Sequence, residues 1–223
     1  MTEGPTLFVR YALAPNRLGY CGPSDGSTFF EYGVTGRVDP GLRTLARQFE
    51  GAWPQLQRIA AASGAVDPLD REVVEAYWIG NRLLDRAGTA EGELPHHSFQ
   101  VFCAYPWFDL LDDERSSEQA LRVLDQCRIR WGRVVADTGE HVVVESRPLV
   151  RRTGGLVLGP LRQETVIRGV DGMSLVGPLR PGEWVSLHWE WVCDRLTPAH
   201  LAALRRYSAH HLELANQRHA LVR

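Results

Sequence analysis

Thiols and imidazoles are the side chains here that can hold a soft metal or pair as nucleophile and base, because a reactive thiolate needs a cation or a proton acceptor beside it. The four thiols, Cys21, Cys103, Cys127 and Cys193, form no C-x-x-C pair and no dense disulfide framework, so they read as free thiols or metal ligands. Cys21 stands in a turn, Tyr20-Cys21-Gly22-Pro23. His96 and His97, followed by Cys103, offer three potential ligands within eight positions, without the spacing of a zinc motif. Adjacent histidines point different ways in a helix or a strand, so at most one of the pair serves a given site. A site shared between the halves of the chain, with Cys21 or His97 meeting Cys127 and His188, is geometrically open. Plainer roles stand beside these. Cys103 and Cys193 lie among aromatic residues and suit core packing, Cys127 suits a buried strand position, and His188 suits a histidine hydrogen-bonded inside the fold. His210 and His211 read as helix surface, and Arg151 and Arg152 as a solvated turn.

The elements that must position these groups change character about halfway along. Asp39 and Pro40 make a helix start, after which Leu42, Leu45, Ala46, Phe49, Trp53 and Leu56 recur at helical spacing, with a kink or interruption expected at Pro54. Asp67 and Pro68 repeat the start signal, and the arc of Val73, Val74, Tyr77, Trp78 and Leu84 ends before Gly88. The aromatic stretch His96 to Leu111 suits a helix or an irregular packed segment, broken at Pro106. From Cys127 the period becomes two, with Cys127, Ile129 and Trp131 alternating against Arg128, Arg130 and Arg133 as in a half-buried strand. Further short strands fit Arg133 to Ala136, His141 to Ser146, Gly155 to Leu158, Glu164 to Arg168 and Glu183 to Trp191. Thr197 and Pro198 open a last helix with Leu201, Leu204, Leu212 and Ala215 on its inner face. The expected class is therefore α+β: a mostly helical domain over residues 1–112, a linker and short helix over 113–126, and a small OB-like β-barrel with a C-terminal helix over 127–223.

Composition removes several function classes. All 25 basic residues are Arg, so Schiff-base chemistry and the phosphate-loop lysine are excluded. Against 27 acidic residues they leave a net charge of -2, which disfavours nucleic acid and anionic membrane as partners. No run of apolar residues is long enough to span a bilayer, and Met1 to Arg10 has neither a basic start nor a long apolar stretch; the expectation is a soluble cytoplasmic protein.

Two motifs in the second half carry a resemblance. Cys127 is followed five residues later by Gly132 and then strand-like sequence, and Pro181-Gly182-Glu183-Trp184-Val185-Ser186-Leu187-His188 precedes an apolar segment and the final helix. In this order they resemble the hydrogenase assembly chaperones of the HypC/HupF family, which carry an iron fragment during maturation of nickel-iron hydrogenases. The resemblance covers residues 127–223 and implies Cys127 as a thiolate ligand and His188 as its imidazole partner, holding iron that bears cyanide and carbon monoxide. It further implies a maturation scaffold protein and the hydrogenase large-subunit precursor as partners. A thiolate suits low-spin iron, and few protein ligands suit a cargo that must be surrendered. Cys21, His96, His97 and Cys103 remain candidates for a second site or for groups around the first. The reading is of a binding protein rather than a catalyst. Two alternatives differ in class: an enzyme with Cys21 or Cys127 as nucleophile and His97 or His188 as base, or an interaction module whose barrel binds no metal.

Overall fold

Proline and aspartate set the helix starts in the first half. The computed structural model describes residues 3–24, 26–89 and 92–221, so Met1 and Thr2 of the N-terminal reading lie outside the described residues. Helix α1 (Gly4–Arg17) has Pro5 in its first turn and is buried nearly all round, through Leu7, Phe8, Val9, Tyr11, Ala12 and Leu13, as a central helix must be. Helix α2 (Gly26–Thr35) follows, and then α3 (Pro40–Ala46), whose first turn is capped by the Asp39 carboxylate accepting from the Leu42 N–H at 3.1 Å. The interruption expected at Pro54 falls a few residues earlier: α3 ends at Ala46 and α4 (Trp53–Ser63) starts afresh with Pro54 in its first turn, where no intrahelical N–H bond is lost. Helix α5 (Arg71–Trp78) starts later than the Asp67-Pro68 signal, because Asp67 accepts from the Leu69 N–H and pairs with Arg43, leaving the start to Asp70. Short helices α6 (Leu84–Ala87) and α7 (His97–Phe99) come next. A π-helical turn (Gln100–Ala104), a 3-10 turn (Asp109–Asp112) and α8 (Ser117–Cys127) complete the helical part.

The strands are β1 (Arg130–Asp137), β2 (His141–Ser146), β3 (Leu149–Arg152), β4 (Gly155–Leu158), β5 (Arg162–Ile167), β6 (Gly169–Val170), β7 (Met173–Ser174), β8 (Trp184–His188) and β9 (Trp191–Arg195). Five of them close on themselves in the order β1-β2-β5-β9-β8, while β3–β4 and β6–β7 form separate two-stranded sheets. The Gly155 to Leu158 strand therefore stands outside the closed set. The expected strand from Glu183 to Trp191 is a hairpin: Trp189, at φ 54, turns the chain after His188, and Trp191 pairs back to His188. Helix α9 (Pro198–Leu221) closes the chain with Leu201, Leu204 and Ala215 buried and Leu212 half-buried.

Two expectations about the junction are reversed. Cys127 is the last residue of α8, not a strand residue, because the helical face of Ala120, Val123 and Leu124 carries the chain through to it. Arg128 and Arg130 point inward, only 2% and 1% exposed. Each guanidinium meets acceptors there: Arg128 bonds Asp125 and the Arg147 carbonyl, and Arg130 bonds Glu164, Gln126 and the Trp189 carbonyl. Charge of this kind is tolerated inside only when paired.

One apolar core runs from Leu7 and Phe8 on α1 through Val73 and Trp78 on α5 to Val144, Val185 and Leu187 in the barrel. Helix α1 rests on β8 and β9, where Tyr11 bonds Ser186 at 2.8 Å and Arg10 pairs with Asp194 at 3.1 Å. Among the described residues no helix is long and apolar enough to cross a membrane.

Candidate metal centre

Three elements that are distant in sequence deliver one side chain each to a common point. Cys127 ends α8, His188 ends β8, and His97 begins α7. Their ligand atoms all lie within 4.8 Å of one another, a span that small side-chain rotations bring onto one ion. The Cys127 Sγ is 4.0 Å from His97 Nε2, and the two imidazole rings stand 5.0 Å apart, edge to face.

Backbone geometry fixes the tautomer of His188. Its Nδ1–H donates to the Tyr11 carbonyl, which leaves the Nε2 lone pair buried and, among the described residues, without a hydrogen-bond partner. That carbonyl is available for a reason written in the sequence: its ordinary helical donor would be the N–H four residues on, and residue 15 is proline, which has none. A histidine whose far nitrogen is held by a carbonyl is the usual arrangement for a metal ligand. His97 is held differently, with Nε2–H donating to the Cys127 carbonyl at 2.8 Å and Nδ1 3.3 Å from the Tyr77 hydroxyl. To ligate through Nε2 it must move its proton to Nδ1, where the Tyr77 oxygen can accept it. Trp78 packs against both rings, 4.6 Å from His97 and 5.6 Å from His188 between centroids.

Burial keeps the whole set neutral. It lowers His97 to about 4, against a smaller opposing effect of the Cys127 carbonyl, and lowers His188 well below the ordinary imidazole range, helped by the nearby His97. Burial pushes the Cys127 thiol up, with Cys21 adding to it, and pushes Cys21 up to about 12. Neutral imidazoles compete with no proton for a cation, and the thiol becomes an anion when a metal replaces its proton. One thiolate and two imidazoles form a borderline-soft donor set, suited to zinc, copper or iron rather than to magnesium or calcium.

The cluster opens on a cavity of about 870 Å³, whose wall also carries Cys21, Tyr77, Tyr105 and Trp107. Cys21 is presented by the α1–α2 loop, which Asn16 clamps by donating to the Cys21 and Pro23 carbonyls at 3.0 and 2.6 Å. Tyr20 in the same loop stacks on Trp189 at 4.5 Å. Phe49 lies so close to Gly22 that a Cβ there would come within 2.4 Å of its ring.

Other residues singled out in the sequence lie elsewhere. His96 turns away from its neighbour and shares the Ser98 hydroxyl with His211, both imidazole nitrogens standing 2.7 Å from it. The surface position expected for His211 is thus overturned, since it is fully buried on the inner face of α9. Cys103 is half-buried near the His211 carbonyl, and Cys193 is buried in the core. Arg151 is not freely solvated, because it bonds Asp112 and the Leu111 carbonyl. The sequence offers Tyr77 only as part of an apolar helix face and does not point to Tyr11; the proline four places after Tyr11 is the signal available for it.

In comparison with known proteins, residues 1–92 and 86–222 match a family described as a family of unknown function, DUF6390. No curated protein and no solved structure matches the chain.

Proposed function

The chain belongs to the DUF6390 family, and we propose that it is a metal-handling accessory protein of nickel-iron hydrogenase maturation, working through His97, Cys127 and His188. The cargo in this reading is an iron fragment bearing cyanide and carbon monoxide, received from a maturation scaffold protein and released to the large-subunit precursor in the cytoplasm. The observation that carries it is the meeting of Cys127 and His188, which are far apart in the sequence, with an unpartnered buried Nε2 between them and a cavity in front. Further support lies in the closed five-strand set followed by a helix, which suits an OB-like barrel of the HypC/HupF kind.

Each residue has a role in that cycle. Cys127 releases its proton and supplies the anionic ligand, His188 supplies a lone pair already aimed by the Tyr11 carbonyl, and His97 joins when its proton passes toward Tyr77. The cavity in front of these side chains would give the diatomic ligands of the fragment room. A donor set of three that includes an interchangeable histidine holds its cargo less irrevocably than a closed four-ligand cage. The helices contribute His97 and the roof of the cavity, which gives the first half of the chain a part in the same task.

A thiol nucleophile with a histidine base is disfavoured by the same electrostatics. An imidazole lowered to about 4 does not deprotonate a thiol that burial has raised, so the reactive ion pair is strongly uphill without a metal.

Anaerobic isolation from a hydrogenase-producing host, followed by infrared spectroscopy, tests the proposal. Bands of metal-bound cyanide and carbonyl that vanish in Cys127→Ala are expected. Their absence from wild-type protein, with hydrogenase maturation unaffected by that substitution, overturns the hydrogenase assignment; failure of the isolated protein to bind any soft divalent metal overturns the metal centre itself.

A further inference from the structure

A second cavity of about 630 Å³ lies between the β3–β4 hairpin and α9, and none of the three ligand residues lines it. Its walls are apolar, formed by Phe102, Leu149, Leu156, Leu158 and Leu212. Its cationic groups are Arg128, Arg147 and Arg205, and its one acidic lining residue is Glu213.

The charges do not cancel. Arg128 is matched by Asp125 at 2.9 Å. Among the described residues Arg147 donates only to the Gly159 carbonyl, at 2.8 Å, and Arg205 is held over the faces of Trp184 and Trp131, 5.0 and 5.8 Å from their centroids. Among the described residues neither is in an ion pair. With Glu213 set against these two guanidinium groups, one positive charge is left over beside an apolar pocket.

Two buried polar atoms in the lining also have no hydrogen-bond partner among the described residues: Arg128 Nε and Ser208 Oγ. A buried donor without an acceptor is unfavourable, so a site holding two such atoms is suited to a ligand that supplies oxygen. The volume lies in the range of small-molecule sites, and guanidinium groups match the planar fork of a carboxylate.

We propose that this cavity binds a monoanionic amphiphile, a carboxylate with an aliphatic or aromatic body of about eight to twelve carbons. The body lies against Phe102, Leu149, Leu156 and Leu212, and the carboxylate meets Arg147 and Arg205. One charge on the ligand answers the one charge left over. The site stands apart from the metal centre and does not rest on the reading given for it.

Calorimetric titration of the whole protein with decanoate below its micelle concentration provides the test, with decan-1-ol and decyltrimethylammonium as neutral and cationic counterparts. Saturable one-to-one binding is expected for decanoate, at least tenfold tighter than for the alcohol and absent for the cation. Arg147→Gln and Arg205→Gln, both at exposed positions, should each weaken it several-fold and together at least tenfold, with unchanged circular dichroism. Cys127→Ser should leave it unchanged, which separates this cavity from the other. Equal affinity for the three amphiphiles, insensitivity to both arginine variants, or no saturable binding of decanoate overturns the proposal.

Discussion

Two buried histidine pairs begin from adjacent residues and arrive at opposite uses. His97 faces His188 and a thiol at the edge of a cavity, whereas His96 faces His211 across a serine hydroxyl inside packed protein. Desolvation depresses the imidazoles of both pairs, so burial alone does not make a ligand. The difference lies in what adjoins them. The first pair has a thiol able to become an anion and open space for a cation's other ligands; the second has a neutral hydroxyl and Tyr207 stacked on His96.

The sharpest way to break this comparison is to exchange the losses. Cys127→Ala should weaken the binding of a soft divalent metal by about 100-fold or more in anaerobic competition with a chromogenic chelator, because one of three protein ligands and the anionic charge are gone. His211→Ala should leave that affinity within about twofold and instead lower unfolding free energy by roughly 1–3 kcal/mol in urea titration, since Ser98 loses a buried partner. A metal defect in the second variant would erase the distinction between the pairs.

Acid should act on both pairs together. A folded-state imidazole lowered to about 4 for His97 and about 3 for His211, against about 6.5 in the unfolded chain, means that the unfolded state binds more protons below neutrality. Metal-free stability is therefore full above about pH 6.5 and falls as pH drops toward 4, by roughly 1.4 kcal/mol per pH unit for each such histidine. Urea midpoints between pH 7 and 4 should show the fall, with a shallower slope in His211→Ala.

A smaller effect isolates the aiming of His188. Pro15→Ala returns an N–H to the helix and offers the Tyr11 carbonyl its ordinary donor. Metal affinity should drop about tenfold, the scale of losing a group that orients a ligand, while thermal stability stays level or rises. Nitrogen-15 spectra of the metal-free protein should show the His188 proton leaving Nδ1 for part of the population; an unchanged tautomer would refute the role given to proline. Asp39→Ala stands at the bottom of the scale, lowering the urea midpoint slightly through loss of the α3 cap and leaving metal affinity untouched.

How far the sequence disclosed this arrangement depended on whether a local rule decided the matter. Strand β2 matched the expected His141 to Ser146, and Asp39 capped α3, because alternation and capping are local. Arg130 faces inward with Gly132 and Val134 because period two fixes which residues share a face, not which face is buried, whereas Arg128 precedes the strand and is buried alongside Ile129; pairing with Glu164 and Asp125 makes both positions tolerable. His211 was misjudged because its partner, Ser98, lies far away in the sequence. The hairpin after His188 was hidden by a tryptophan in a left-handed turn where glycine or asparagine is usual. Cys127 and His188 follow from the motifs, and His97 is one of two partners the sequence leaves open for them; that His97 rather than Cys21 completes the cluster depends on where α7 and the α1–α2 loop pack, which spacing does not specify.

Trp78, lying against both imidazoles, gives the chain an optical readout of its own. Its indole emission should respond when charge or a quenching ion arrives between those rings, so occupancy can be followed without a label. Six other tryptophans contribute to the spectrum, and Trp78→Phe identifies the share that belongs to this position.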